Sequence, residues 1–310
     1  MDIDNFNRII EALEVHYYKA SIREVIQPVQ LNNTKEQKNV LVQSVEGSFY
    51  AGKENKLMKN GEFYFLPSEQ PIYFKHGKST NYKIFNTTGF TSVEQRELYL
   101  KPININDKPQ NGKSIFSIIG FEVLLYGAIP FFTILELPCI LIPYDEELSY
   151  LMRNIILEDS KSEIGSSALT RCLLNELVIH ICRYIYKCPE YKKNLLKLNY
   201  LLDKRLVTII EYIQNNLAKD LSNEKIAEVA YVSKDYAGQF FKSLTGNNLQ
   251  DYVENRRLEY AHFLLRTCND NVQEIAHQIG FKDPAYFSRR FKLKFNENAK
   301  EIRKTRHNSI

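Results

Sequence analysis

The last hundred residues of the chain repeat themselves. Ser233-Lys-Asp-Tyr-Ala-Gly-Gln-Phe-Phe-Lys242 aligns with Asp283-Pro-Ala-Tyr-Phe-Ser-Arg-Arg-Phe-Lys292 at an offset of 50, pairing Tyr236 with Tyr286, Phe241 with Phe291 and Lys242 with Lys292. Upstream, Ile226-Ala227 aligns with Ile275-Ala276 at an offset of 49, so the second copy has one more turn residue. Such a repeat constrains the fold, because each copy has to be the same supersecondary unit with the same buried positions. The local chemistry predicts a short helix, a tight turn and a second helix in each copy. Ser222 caps a helix over 223–230 and Ser233 caps the next, their hydroxyls meeting free backbone N–H groups. Asn271 caps 272–279, Gly280 ends that helix with a positive φ, and Asp283-Pro284 places a cap before a proline at the first helical position.

The second helix of each copy has two unlike faces. In the second copy Phe287 and Phe291 point inward, while Ala285, Ser288, Arg289 and Lys292 form an outward face. In the first copy Phe240, Phe241 and Leu244 face a core, and Asp235, Gly238, Gln239 and Lys242 face out. Small residues let a helix approach the floor of a DNA groove, Arg and Gln pair bidentately with guanine or adenine edges, and Lys meets phosphate. A single such helix reads more readily as the polar surface of a bundle; the repetition of the face at equivalent positions reverses that and favours the groove reading. Between the copies, Tyr252, Val253, Leu258, Ala261, Leu264 and Leu265 mark a helix over Leu249–Thr267, about 28 Å long. That length suits two recognition helices about one turn of DNA, about 34 Å, apart.

Charge is distributed in the same sense. The chain has 310 residues and a net charge of +4. Residues 203–310 hold 18 basic and 14 acidic residues, whereas residues 1–202 hold 23 of each. Residues 282–310 hold 9 basic and 3 acidic residues; residues 203–281 hold 9 and 11. A basic segment on a neutral body points to a polyanion as partner, with a solvated tail as the plain alternative.

The pattern Ile275-Ala-His-Gln-Ile-Gly-Phe281, followed by Asp283 to Lys292, resembles the second helix-turn-helix signature of the AraC/XylS transcription regulators. The first copy and Arg256-Arg-Leu-Glu-Tyr-Ala-His-Phe-Leu-Leu265 resemble that family's first motif and linker helix. The resemblance covers about 100 residues. It implies promoter DNA as partner, contact with RNA polymerase, and recognition positions at Lys234, Asp235, Gln239 and Lys242 and at Ala285, Ser288, Arg289 and Lys292. Leu249 stands where the family has a proline, and Asn296 and Ala299 stand at a Gly and a Pro position. Asn tolerates positive φ, so the turn at 296 is expected to form.

Upstream, residues 4–19 show Phe6, Ile9, Ile10 and Leu13 at helical spacing, with Asp4 as cap. From about 22 to 143, short runs such as Val40–Val45, Phe63–Leu66, Ile72–Phe74, Tyr82–Phe85 and Ile115–Ile119 alternate with turns, among them Thr88-Gly89. They predict a β-barrel or sandwich, and the family resemblance implies a cupin-like barrel with a helical hairpin used for dimerisation. Residues 144–201 are expected to be helical, with stripes at Leu148, Leu151, Ile155 and Ile156 and at Leu169, Leu173, Leu177, Ile181 and Ile185. The second stripe serves internal packing, a homodimer seam, or both. Tyr191 to Tyr200, rich in Lys and Asn, reads as a linker. The fold expected is therefore α+β: residues 1–201 a cupin-like sensing and dimerisation domain, residues 202–310 an all-α DNA-binding domain.

The six His are scattered, and Pro67-Ser68-Glu69 stands where metal cupins place a His-x-His. His76 reads as an exposed turn residue. No metal and no cofactor are expected. The aromatics Tyr64, Phe65, Tyr73, Phe74, Tyr82 and Phe85 either fill a core or line a pocket for a small apolar or ring-bearing effector. Five Cys without a Cys-x-x-Cys, three of them (139, 172, 182) in apolar surroundings, suggest buried reduced thiols in a cytoplasmic protein. The apolar stretch Ile115–Pro143 is broken by charges and prolines, so no membrane span or signal segment is expected. With no phosphate loop and no Gly-x-Ser-x-Gly, the chain is not expected to be an enzyme. A regulator with an effector and a regulator or repressor without one remain as the two readings.

Overall fold

β-Branched and aromatic residues at alternate positions carry the first half of the chain into strands. The computed structural model describes residues 2–86, 90, 93–105, 113–161, 163–268 and 270–302. The Thr88-Gly89 turn and the basic residues Arg303, Lys304 and Arg306 lie outside the described residues. The chain divides into two compact units, one of residues 1–125 and 130–198, the other of 126–129 and 199–310.

The first unit opens with α1 (Ile3–Glu11) and continues through β1 (Leu13–Val25), β2 (Val29–Thr34), β3 (Asn39–Glu46), β4 (Phe49–Ala51), β5 (Lys56–Met58), β6 (Phe63–Leu66), β7 (Ile72–His76) and β8 (Lys83–Asn86). Then come α2 (Val93–Glu97), β9 (Leu100–Ile103), β10 (Ile115–Leu125), β11 (Ile129–Pro130), α3 (Phe131–Leu135) and β12 (Ile140–Ile142). Helices α4 (Glu146–Asp159), α5 (Ser166–Lys187) and α6 (Lys192–Leu195) follow. The expected helix over 4–19 is corrected: Asp2, not Asp4, caps α1, and the chain turns into a strand after Ala12. The helical spacing of apolar residues ends at Leu13, and His16, Tyr17 and Tyr18 are recruited by the ladder with β10.

The strands pair as two sheets, in the orders β12-β6-β3-β10-β1-β9, with β11 on β10, and β5-β4-β7-β2-β8. β2 and β8 pair in parallel, and the β1–β10, β1–β9, β3–β10, β6–β12, β2–β7, β3–β6, β4–β5 and β4–β7 ladders are antiparallel. Among the described residues no ladder joins the two sheets, so the expected closed barrel is not formed. Closure needs a continuous staggered ladder, and strands of three or four residues at β4, β5, β8 and β9 are too short to carry one. The sheets instead share a core: Val40, Val42, Leu66 and Phe116 from the first meet Val29, Phe49, Ile72 and Phe74 from the second. The far face of the first sheet is buried too, with Phe65 against Phe132 at a ring separation of 4.8 Å, and α4 and α5 pack on each other and on β1.

Two helical expectations are refined. In α5 the buried residues are Thr170, Leu174, Leu177, Val178, Ile181, Cys182 and Ile185, while Leu169 is 48% exposed. A strict four-residue stride advances about 40° too far at each step of a 3.6-residue helix, so its first members swing out of the contact. Tyr191–Tyr200 is not an extended linker: it coils into 3-10 turns and α6, and Tyr191, Leu195 and Leu198 are buried.

The second unit consists, besides residues 126–129, of α7 (Lys204–Asn215), α8 (Asn223–Val229), α9 (Lys234–Thr245), α10 (Leu249–Thr267), α11 (Val272–Gln278) and α12 (Pro284–Phe295). Among the described residues no helix is long and apolar enough to cross a membrane.

Candidate nucleic-acid interface

The two copies of the repeat fold alike, down to individual hydrogen bonds. Each short helix ends with the same pair: Val232 N–H donates to Ala227 O at 3.0 Å and Tyr231 N–H to Glu228 O at 3.2 Å in the first copy. In the second, Phe281 N–H donates to Ala276 O at 2.9 Å and Gly280 N–H to His277 O at 3.0 Å. The residue between helix and turn adopts positive φ in both, +55° at Tyr231 and +85° at Gly280. A side chain at that position in the second copy would strike a neighbour: a Cβ on Gly280 would lie 2.6 Å from Arg257 Nη2 and 3.0 Å from Leu217 O.

The caps follow the same logic. The side chains of Ser222, Ser233, Asn248, Asn271 and Asp283 accept backbone N–H bonds at the starts of α8 to α12. Asn271 and Glu274 complete a reciprocal capping box. α9 ends on Gly246 at φ +74° and α12 on Asn296 at φ +54°, each donating its N–H to the carbonyl four residues back, so Asn does at 296 what Gly does at 246.

Burial fixes which way each long helix faces. Ala237 and Phe241 in α9, and Phe287 and Phe291 in α12, are fully buried. In the second copy they pack into a core with Leu258, Leu265, Ile275 and Ile279. Among the remaining α12 cations, a division of labour appears. Glu254 of α10 accepts from Tyr286 Oη at 2.6 Å and from Arg290 Nε, and Glu259 pairs with Lys294 at 2.8 Å and Arg256 at 2.9 Å. Arg290 and Lys294 therefore fasten α12 to α10. These clamps were missed in the sequence, where partners 36 and 35 residues apart carry no local signal.

All eight recognition positions read from the sequence lie on exposed surface: Lys234, Asp235, Gln239 and Lys242 on α9, and Ala285, Ser288, Arg289 and Lys292 on α12. The side chains of Gln239, Lys242, Arg289 and Lys292 have no hydrogen-bond or ion-pair partner among the described residues, whereas Ser288 Oγ donates to Pro284 O at 2.9 Å. Lys234 differs from the others in being ion-paired with Glu224 of α8.

Other expectations concern residues away from this surface. His76 is not an exposed turn residue but 4% exposed: β7 continues the alternation Ile72, Phe74, His76 into the core. Burial pushes its pKa down to about 3. Of the three cysteines expected to be buried, Cys182 is buried, Cys139 is half-buried and Cys172 is exposed on α5, whose apolar face turns away from it. Among the described residues no three His, Cys, Asp or Glu side chains gather as metal ligands. The aromatic residues divide: Tyr64, Phe65, Phe74 and Phe85 are buried, while Tyr73 and Tyr82 are half-buried.

A family profile described as "Helix-turn-helix domain" matches residues 226–305. The HTH-type transcriptional activator RhaS of Mannheimia succiniciproducens is 33% identical over 95 residues, 31% of this chain and 35% of that protein. An uncharacterized HTH-type transcriptional regulator of Haemophilus influenzae is 24% identical over 253 residues, covering 80% of this chain and 79% of that one. The solved structure of a transcriptional regulator with an AraC-type DNA-binding domain from Chromobacterium violaceum matches 33% of this chain and 91% of its own, at 26% identity and a TM-score of 0.31. The chain spans about a third of the length of the first two curated relatives it matches. Residues 226–305 of this chain thus carry a helix-turn-helix domain similar to those of AraC-type transcription regulators.

Proposed function

We propose that this chain is a sequence-specific transcription regulator, acting as an activator, that reads two adjacent major-groove segments of promoter DNA with α9 and α12. The observation that carries the reading is the repeat itself: two units with matching turn bonds present unpaired Gln239 and Lys242, and Arg289 and Lys292, at equivalent helix positions. Arg289 reads a base edge, and Lys242 and Lys292 meet phosphates. The 19 residues of α10 span about 28 Å, compatible with recognition helices set about one DNA turn, about 34 Å, apart. The second helix-turn-helix copy supplies most of the phosphate attraction, since residues 282–310 carry the excess of basic charge. Residues 1–201 serve as a cupin-like sensing and dimerisation domain, residues 202–310 as the DNA-binding domain, and the DNA-bound form contacts RNA polymerase in the cytoplasm. A regulator without an effector shows no ligand response at the promoter, and a repressor lowers transcription there.

Footprinting the full chain on its own genome identifies the operator, after which Arg289→Ala decides the role of that residue. If Arg289 reads a base, operator binding weakens by about 1–3 kcal/mol while binding to random duplex changes little. Equal loss on both makes Arg289 a phosphate contact, and no loss on either removes α12 from the interface.

A further inference from the structure

The two copies of the repeat differ at a point that their shared turn does not require. At the left-handed residue between helix and turn, the first copy carries Tyr231, 96% exposed at φ +55°, and the second carries Gly280 at φ +85°. An equivalent turn therefore closes with a side chain in place. What excludes one at 280 is a neighbour. A Cβ there would lie 2.6 Å from Arg257 Nη2, 2.8 Å from Arg257 Cζ and 3.0 Å from Leu217 O.

Arg257 belongs to α10 and is half-buried. Its guanidinium is committed to the first copy's side of that helix: Nε donates to Leu217 O at 2.9 Å and Nη2 to Lys219 O at 2.8 Å, both in the segment between α7 and α8. Two helical turns earlier, Gln250 Nε2 donates to Leu221 O and to Asn223 Oδ1, each at 2.8 Å. Residues seven apart share a helix face, so one edge of α10 holds the approach to α8 by the carbonyls of Leu217, Lys219 and Leu221. The rest of α10 changes allegiance along its length. Tyr252 packs on Phe241 of α9 with ring centroids 5.2 Å apart, whereas Leu258, Ala261, Leu264 and Leu265 lie in the core of the second copy. Arg257 stands at the changeover, bonded to the α7–α8 segment and lying against the turn of the second copy. Only a planar fork does both; a lysine has the charge without the plane.

A continuous helix fixes the distance between two bodies along its axis but not their rotation about it. Rotation is fixed by contacts off the axis, and the lever is long. A turn of about 10° acting over about 17 Å, half of the DNA repeat of about 34 Å, moves a recognition helix by about 3 Å. That is close to the base-pair rise of about 3.4 Å. We propose that Arg257, seated between the α7–α8 segment and Gly280, sets the mutual placement of α9 and α12 and hence the spacing of the two DNA segments that the chain accepts. Arg257 is a positioning residue, and the bare backbone at 280 is the room it needs. The consequence at DNA rests on the two-segment reading proposed above; the placement itself is measured without DNA.

The test uses the full chain with nitroxides attached through a ketone-bearing amino acid at Glu211 of α7 and Gln273 of α11, both exposed, so that the five cysteines stay unlabelled. Pulsed electron paramagnetic resonance gives the distance distribution between the labels. The original protein is expected to show one narrow distance. Arg257→Met, which keeps the aliphatic bulk, and Arg257→Lys, which keeps the charge, are each expected to broaden it at least twofold. Gly280→Ala, which has to push the guanidinium aside, is expected to shift its centre. On a footprinted operator, one base pair added between the half-sites should cost the original protein at least about tenfold in affinity and the Arg257 variants no more than about threefold. Arg257 variants that keep the narrow distance, or that keep the original's penalty for the added base pair, would overturn the assignment. So would Arg257→Lys behaving as the original, which reduces the residue to a charge. If the Arg257 variants do not fold, Gly280→Ala decides: an unchanged distance and an unchanged spacing preference refute the proposal. An operator without two half-sites, or one on which the original protein tolerates the added base pair, sinks the two-segment reading instead, and the label distances still judge the placement.

Discussion

Replacing His76 with phenylalanine should remove an acid sensitivity from the strand-rich unit. His76 is 4% exposed, its Nδ1 has no partner among the described residues, and its ring lies 4.5 Å from Phe74 and 4.9 Å from Phe116. Burial lowers its pKa from 6.5 to about 3. The unfolded chain therefore takes up a proton near pH 6.5 and the folded chain only near pH 3. The folded pKa is the depressed one, so stability is fully present above pH 6.5 and is lost as the pH falls toward 3. With these two values the loss between about pH 7.5 and about pH 5 comes to about 2 kcal/mol, approaching about 5 kcal/mol at the acid limit. Phenylalanine keeps the ring against the same neighbours and titrates in neither state. Urea unfolding followed by far-ultraviolet circular dichroism suits a chain with no Trp. Taking the difference between His76→Phe and the original protein at each pH cancels the other titrating groups. The variant should gain about 2 kcal/mol on the original at about pH 5 relative to about pH 7.5. Parallel pH dependences would refute the claim that a neutral imidazole is held in this core.

The repeat allows opposite substitutions at equivalent positions. Tyr231→Gly should raise stability by about 0.5–1 kcal/mol, because Tyr231 is 96% exposed and held at φ +55°. Gly280→Ala should lower it by about 1–3 kcal/mol through the positive φ and the Arg257 and Leu217 contacts; matching signs in thermal unfolding would contradict the local account. Binding of the full chain to duplex DNA should fall steeply with salt, and Lys292→Ala should flatten the log–log slope by roughly one. An unchanged slope would place Lys292 away from phosphate.

What could be read ahead of the coordinates was local in origin. Caps at Ser222, Ser233, Asn271 and Asp283, and the left-handed residue at Asn296, are short-range arrangements that neighbouring side chains determine. The alternation that buries His76 was also readable, since Ile72, Phe74 and His76 share one strand face. It was cut short because Gly77 follows immediately and suggested a turn. The clamps on Glu254 and Glu259 were not readable: each joins residues far apart in the chain, and only the packed fold brings them together. The open arrangement of the sheets was hidden for a related reason, as strand pattern specifies inward and outward faces but not which edges pair.

On the function proposed above, the Lys234–Glu224 pair makes α9 and α12 unequal competitors for the same polyanion. At the corresponding places the second copy has Pro284 and Gln273, so nothing there has to be released. A phosphate approaching Lys234 has to displace a resident carboxylate, while one approaching Lys292 meets an unclaimed ammonium group. The more weakly charged helix thus carries a built-in rival, and nonspecific polymer that only loosely matches its groove gains least there.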